Sequence, residues 1–151
     1  MDKNLTPVLV TLCSQQRGEH GEADKPLRLI CQGRMKKTQS GCMIRYQEVQ
    51  NDEETGRPVS QDVLLHVQND RVTMTRLGEY GTTMVFVKDT RFEGTYHTPF
   101  GELGLALFTT QVNCRVEDQR GSVHLEYQLD MQGNFAAVQV IDVTWTVKEA
   151  H

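Results

Sequence analysis

The sequence has little that would take it into a membrane or out of a cell. No run approaches the ~18 consecutive apolar residues of a membrane-spanning helix, and Met1 to Pro7 hold no apolar signal core. A cytoplasmic location is therefore expected. The four cysteines, Cys13, Cys31, Cys42 and Cys114, form no C-x-x-C pair, so the usual spacing of zinc and thiol–disulfide sites is missing. In a reducing compartment they read as small core hydrophobes. Positive charge is scarce as well. The net charge is −4, and Lys36-Lys37 is the one adjacent basic pair. Neither nucleic acid nor an anionic membrane surface is expected as a partner, because both reward clustered Lys and Arg.

Catalytic motifs are also lacking. There is no Gly-x-Ser-x-Gly, phosphate-binding loop, His-Glu-x-x-His or dinucleotide fingerprint. His20, His66, His97, His124 and His151 are not spaced as metal ligands, so no metal and no cofactor is expected. Helical periodicity is absent too, since no segment carries a 3.6-residue apolar repeat over three turns.

What the chain does have is alternation. Val123, Leu125, Tyr127, Leu129 and Met131 share one parity, and Ser122, His124, Glu126, Gln128 and Asp130 the other. After a turn at Gln132-Gly133-Asn134 the pattern resumes with Gln139, Ile141, Val143, Trp145 and Val147. Period two puts one set on a buried face and the other in water. Ten such runs are expected as strands, at about 7–14, 27–36, 41–50, 59–68, 71–77, 82–88, 91–97, 101–117, 120–131 and 134–148. The fold class that follows is all-β: an antiparallel up-and-down β-barrel of about eight to ten strands, closed or nearly so. Its 151 residues fit a single domain, 1–151, with 1–6 expected to be disordered ahead of the first strand. Trp145 falls in register with the apolar set and is expected in the core.

Two details refine this picture. Asn69-Asp70 and Glu117 to Gly121 read as hairpin turns built from residues that tolerate positive φ. The 101–117 run changes parity, with Leu103, Leu105 and Leu107 in one register and Val112, Cys114 and Val116 in the other. One extra residue near Phe108 to Gln111, a β-bulge, would restore continuity. In a meander the odd-numbered connections share one end, and the longer ones, such as Gln15 to Pro26 and Asn51 to Pro58, collect there. Ligand-binding barrels commonly open where the loops are long, which assigns the mouth to that end.

The stretch Tyr96-His97-Thr98-Pro99-Phe100-Gly101-Glu102-Leu103-Gly104-Leu105, with Tyr127 downstream and Arg76 upstream, resembles the YwiB-like family of small bacterial β-barrels. The resemblance covers roughly residues 30–148 and is best over 76–131. It implies a lipocalin-like, calycin-type barrel and little about activity, because that family is uncharacterised. The chain departs from true lipocalins, which carry Gly-x-Trp on the first strand, so lipid or retinoid transport is not implied. Locally, Pro99 favours extended geometry at Thr98, Gly101 permits a tight turn, and Phe100 is placed to cap the barrel end.

Polar residues on apolar-parity faces mark the expected site. Arg76 shares parity with Val72 and Met74, and Tyr46 and Glu48 share it with Cys42 and Ile44. Tyr127 sits among Val123, Leu125 and Leu129, Gln139 precedes Ile141, and Tyr96 matches Phe92. A buried Arg76 needs a partner, either Glu48 or the carboxylate or phosphate of a ligand. His66 and His124 fall on polar faces and are expected in solvent. Three functions remain open. The first is a cytoplasmic binding protein holding a small anionic, partly apolar ligand in the barrel mouth through Arg76, Tyr46, Glu48, Tyr96 and Tyr127. The second is a protein-interaction module, a homodimer among its forms, that uses loops or an unclosed strand edge around a filled interior. The third is an enzyme using His97 and Glu102 as acid and base.

Overall fold

The computed structural model describes residues 5–18, 25–51, 54–78 and 81–148. All ten expected strands form: β1 (Thr6–Arg17), β2 (Leu27–Lys37), β3 (Cys42–Asn51), β4 (Pro58–Val67), β5 (Arg71–Arg76), β6 (Thr82–Val87), β7 (Thr90–Thr98), β8 (Gly101–Val116), β9 (Arg120–Met131) and β10 (Asn134–Val147). Among the described residues there is no helix. Of the N-terminal residues expected to be disordered, 1–4 lie outside the described residues and Thr6 opens β1.

The strands form one antiparallel sheet in the order β6-β5-β4-β3-β2-β1-β10-β9-β8-β7. Every sequence neighbour pairs except β6 with β7, and β1 pairs with β10 from Val8↔Val147 to Arg17↔Val138. The result is a nearly closed up-and-down barrel whose seam lies mid-chain, not between the terminal strands. The expected bulge is present: β8 pairs Thr109↔Tyr127 and then Gln111↔Glu126, leaving Thr110 as the extra residue. That insertion lets Leu105, Leu107 and Thr109 point inward before it and Val112 and Cys114 after it. A second shift falls between Phe135 and Ala137 in β10.

Turn chemistry differs from the expectation in part. Gln132 and Gly133 both have positive φ, 53° and 81°, as a two-residue hairpin joining Met131 to Asn134 requires. Asn69, Asp70 and Glu117 to Gln119 turn without it, whereas Asp89 (φ 60°) uses it. Gly121 is not a turn residue at all. It is a β9 position opposite Trp145, and the indole lies on its bare Cα: a Cβ there would stand 2.1 Å from Trp145 Cζ2. Trp145 itself is buried, as its register demands.

The core fills the closed end and middle of the barrel with Val8, Val10, Ile44, Leu65, Phe86 and Leu125 among its enclosed side chains. The Phe86 and Tyr127 rings meet across it at 4.8 Å, tilted by 54°. One ladder is short. β2 and β3 pair from Lys37↔Cys42 only as far as Gly33↔Tyr46, although β2 stays paired with β1 to Leu27 and β3 with β4 to Asn51.

His124, expected in solvent, is instead half-buried on the outer wall between two carboxylates. Its Nδ1 lies 2.5 Å from Asp142 Oδ1 and its Nε2 lies 3.3 Å from Glu126 Oε2. The Asp142 bond, helped by Glu126, raises the imidazole's pKa against the opposing effect of partial burial. Because the folded value is raised, the cluster stabilises fully below the unfolded value of about 6.5 and loses this as pH rises through the folded one. Urea unfolding across pH 5–9 should show that decline, and His124→Gln should flatten it. An unchanged slope in the variant would assign the dependence elsewhere.

Candidate functional site at the barrel mouth

A cavity of about 480 Å3 opens at the end that carries the long odd-numbered connections. Strand ends build it: Ser14 from β1, Leu27 from β2, Glu48 from β3, Arg76 from β5, Thr82 from β6 and Gln139 from β10 all face it. Residues 19–24, 52–53 and 79–80 of the connections lie outside the described residues. The cavity exists because the core side chains stop short of this end, where the inward positions turn polar.

Arg76 and Glu48 form an ion pair in its wall, with Nε 3.3 Å from Oε1. The Glu48 side chain is only 7% exposed and that of Arg76 25%, so the cation is the more accessible partner. Arg76 Nη1 also faces Met74 Sδ at 3.6 Å. A guanidinium carries five N–H donors, more than these two neighbours occupy. Tyr127 lines the same wall. Burial pushes its phenol up to about 12, against a lowering by Arg76, so it stays protonated and able to donate near neutral pH. Tyr96 lines the cavity from β7 and is partly open to solvent. Leu12, Met84, Leu105, Leu129 and Ile141 give it an apolar side.

Tyr46 stands differently from the other expected site residues. It is buried one inward position below Glu48 and does not line the cavity. Its hydroxyl has no hydrogen-bond partner among the described residues. Burial and the Glu48 charge push its ionisation well above the ordinary tyrosine range, while Arg76 pulls the other way. It belongs to the packed core, and what it borders is a separate pocket beside Gly33 and Arg45. Small polar residues that the sequence reading passed over, Ser14, Gln61 and Thr82, do face the cavity. Nothing in their type distinguishes them; only their position at inward strand ends does.

His97 and Glu102 pair across β7 and β8 at 3.4 Å, but both side chains are exposed, at 47% and 71%, and neither lines the mouth cavity. Phe100, expected to cap the barrel, is 99% exposed at the tip of the Thr98–Gly101 turn. The turn is held instead by Thr98 Oγ1, which accepts from the Phe100 amide. His66 is half-buried, while His20 and His151 lie outside the described residues. Among the described residues, no cluster of His, Cys, Asp or Glu is arranged to hold a metal, and no helix is long and apolar enough to cross a membrane.

Residues 10–143 match the family described as Domain of unknown function (DUF1934). The chain belongs to that family. In three dimensions it is similar to the ywiB protein from Bacillus subtilis, with a TM-score of 0.77 over 97% of this chain and 95% of that one. At 17% identity the likeness establishes the shared fold, and it agrees with the resemblance carried by Tyr96 to Leu105. No curated protein matches the sequence.

Proposed function

We propose that this protein is a cytoplasmic binding protein whose barrel mouth holds a small, anionic, partly apolar ligand. The observation that carries the reading is the Arg76–Glu48 pair set in the wall of a cavity of about 480 Å3, with the cation the more exposed partner. That volume falls within the ~300–1,000 Å3 of small-molecule sites. Arg suits an anionic head because its planar fork binds carboxylate or phosphate through two hydrogen bonds. Tyr127 adds a donor, and the leucines, Met84 and Ile141 suit an apolar body. The four unpaired cysteines fit a reducing compartment.

Native mass spectrometry of freshly purified protein tests this. A discrete small-molecule mass above that of the bare chain is expected on the wild type. It should be lost in Arg76→Met/Glu48→Leu, which removes both charges together and leaves no unpaired one. Bare wild-type protein, or retention by the double variant, would count against the mouth as the site. A second reading, an interaction module, draws on the unpaired edges of β6 and β7. A dimer in the same spectra, dissociated by a charge placed on the β6 edge, would favour it.

A further inference from the structure

The barrel wall is interrupted twice, and both interruptions reach the mouth. One is the seam. β6 and β7 are consecutive strands joined at Lys88-Asp89, yet no ladder forms between them. The Thr82 hydroxyl donates to the Thr95 carbonyl across the seam, and Asp89 is tied to the Thr109 carbonyl on β8. The other is a fork. Beyond Gly33↔Tyr46 the β2 residues 27–32 and the β3 residues 47–51 have no ladder partner on their facing sides. At the apex Gly33 has no room for a side chain, since a Cβ would sit 2.9 Å from the Arg45 carbonyl oxygen and 3.2 Å from Tyr46 Cβ. The close approach there marks where the two strands part.

These breaks divide the barrel into two panels. β3 to β6 form one, and β7 to β10 with β1 and β2 form the other. At the closed end the panels are joined by the Gly33–Lys37 ladder to β3 and by the β6–β7 connection. Toward the mouth neither gap is laddered. Arg76 and Glu48 belong to the first panel, and Tyr96, Tyr127 and Gln139 to the second, so the cavity lies between them. Backbone groups without ladder partners and few crossing bonds are what low-stability, locally opening regions have.

We propose that the mouth opens sideways, the β3–β6 panel swinging away from β2 at the fork and from β7 at the seam about the closed-end ladder. The motion belongs to the empty barrel and stands without any ligand. Its use as the ligand's entrance rests on the binding reading above. An anion held by both Arg76 and Tyr127 would bridge the panels and hold them shut.

The chain carries its own reporters. Cys31 is buried on the fork segment of β2, and Cys42 is buried at the closed end of β3. Both thiols are shielded in the closed barrel, burial raising the pKa of each. Labelling of the wild-type protein with N-ethylmaleimide, read cysteine by cysteine by mass spectrometry over a range of low urea concentrations, separates local from global opening. Cys31 should label roughly 100-fold faster than Cys42, with a rate nearly independent of urea, while Cys42 follows global unfolding. Equal rates with equal urea slopes would overturn the proposal, because Cys31 would then need complete unfolding. Labelling of Cys31 at the rate of an unprotected thiol would overturn it too, because the gap would be permanently open.

Discussion

Replacing Trp145 with alanine should destabilise the protein by about 3–5 kcal/mol in urea unfolding. The indole is the largest fully buried side chain, and it is enclosed between β1 and β9, facing Val10 and Gly121. Its Nε1 is buried without a hydrogen-bond partner among the described residues, so packing and not polarity holds it. The complementary change is Gly121→Ala. A methyl group there would meet Cζ2 at 2.1 Å and Cε2 at 2.4 Å and force the ring from its place. A loss of about 3 kcal/mol, the upper end for overpacking, is expected. The two effects are not independent: with Trp145 already alanine, Gly121→Ala should cost little, and a double-mutant cycle measures that coupling. A Trp145→Ala loss below about 1 kcal/mol, or additive effects, would contradict this packing.

The second large effect belongs to Arg76. Arg76→Met leaves the Glu48 carboxylate buried beside the unpartnered Tyr46 hydroxyl, with its cation gone. Breaking a buried pair costs ~3–5 kcal/mol, and the quarter-exposed arginine places this one near the low end, about 3 kcal/mol. Adding Glu48→Leu should recover most of the loss, since two apolar residues can replace a buried ion pair at little cost. If Arg76→Met alone leaves stability unchanged, the pair contributes nothing to the empty barrel.

Strand pattern was legible in the sequence almost residue by residue, because period two reports the face each side chain takes. It placed all ten strands, a slip near Phe108 to Gln111 that the structure puts at Thr110, and the burial of Trp145. Alternation does not report which strand lies beside which, so neither the β6–β7 seam nor the early end of the β2–β3 ladder could be read from it. The site divides the same way. Arg76, Glu48, Tyr96 and Tyr127 were visible as polar residues on apolar faces, and the cavity brings them together. Tyr46 shares their parity but sits one step deeper, a depth that parity does not encode. The His124–Asp142 contact joins residues 18 apart in sequence and becomes visible only once the Gln132-Gly133 turn and the shift between Phe135 and Ala137 together fix the β9–β10 register. His97 and Glu102 were conspicuous because they flank a turn, and the register that pairs them also leaves them in water.

The mouth as a ligand site is tested most directly by heteronuclear NMR of labelled protein titrated with the dialysable small-molecule fraction of a cell lysate. Saturable shifts should concentrate at Ser14, Glu48, Arg76, Thr82 and Tyr127, around the cavity, and vanish in Arg76→Met/Glu48→Leu. Shifts confined to the exposed His97–Glu102 turn or to the outer wall, or no shifts at all, would contradict it.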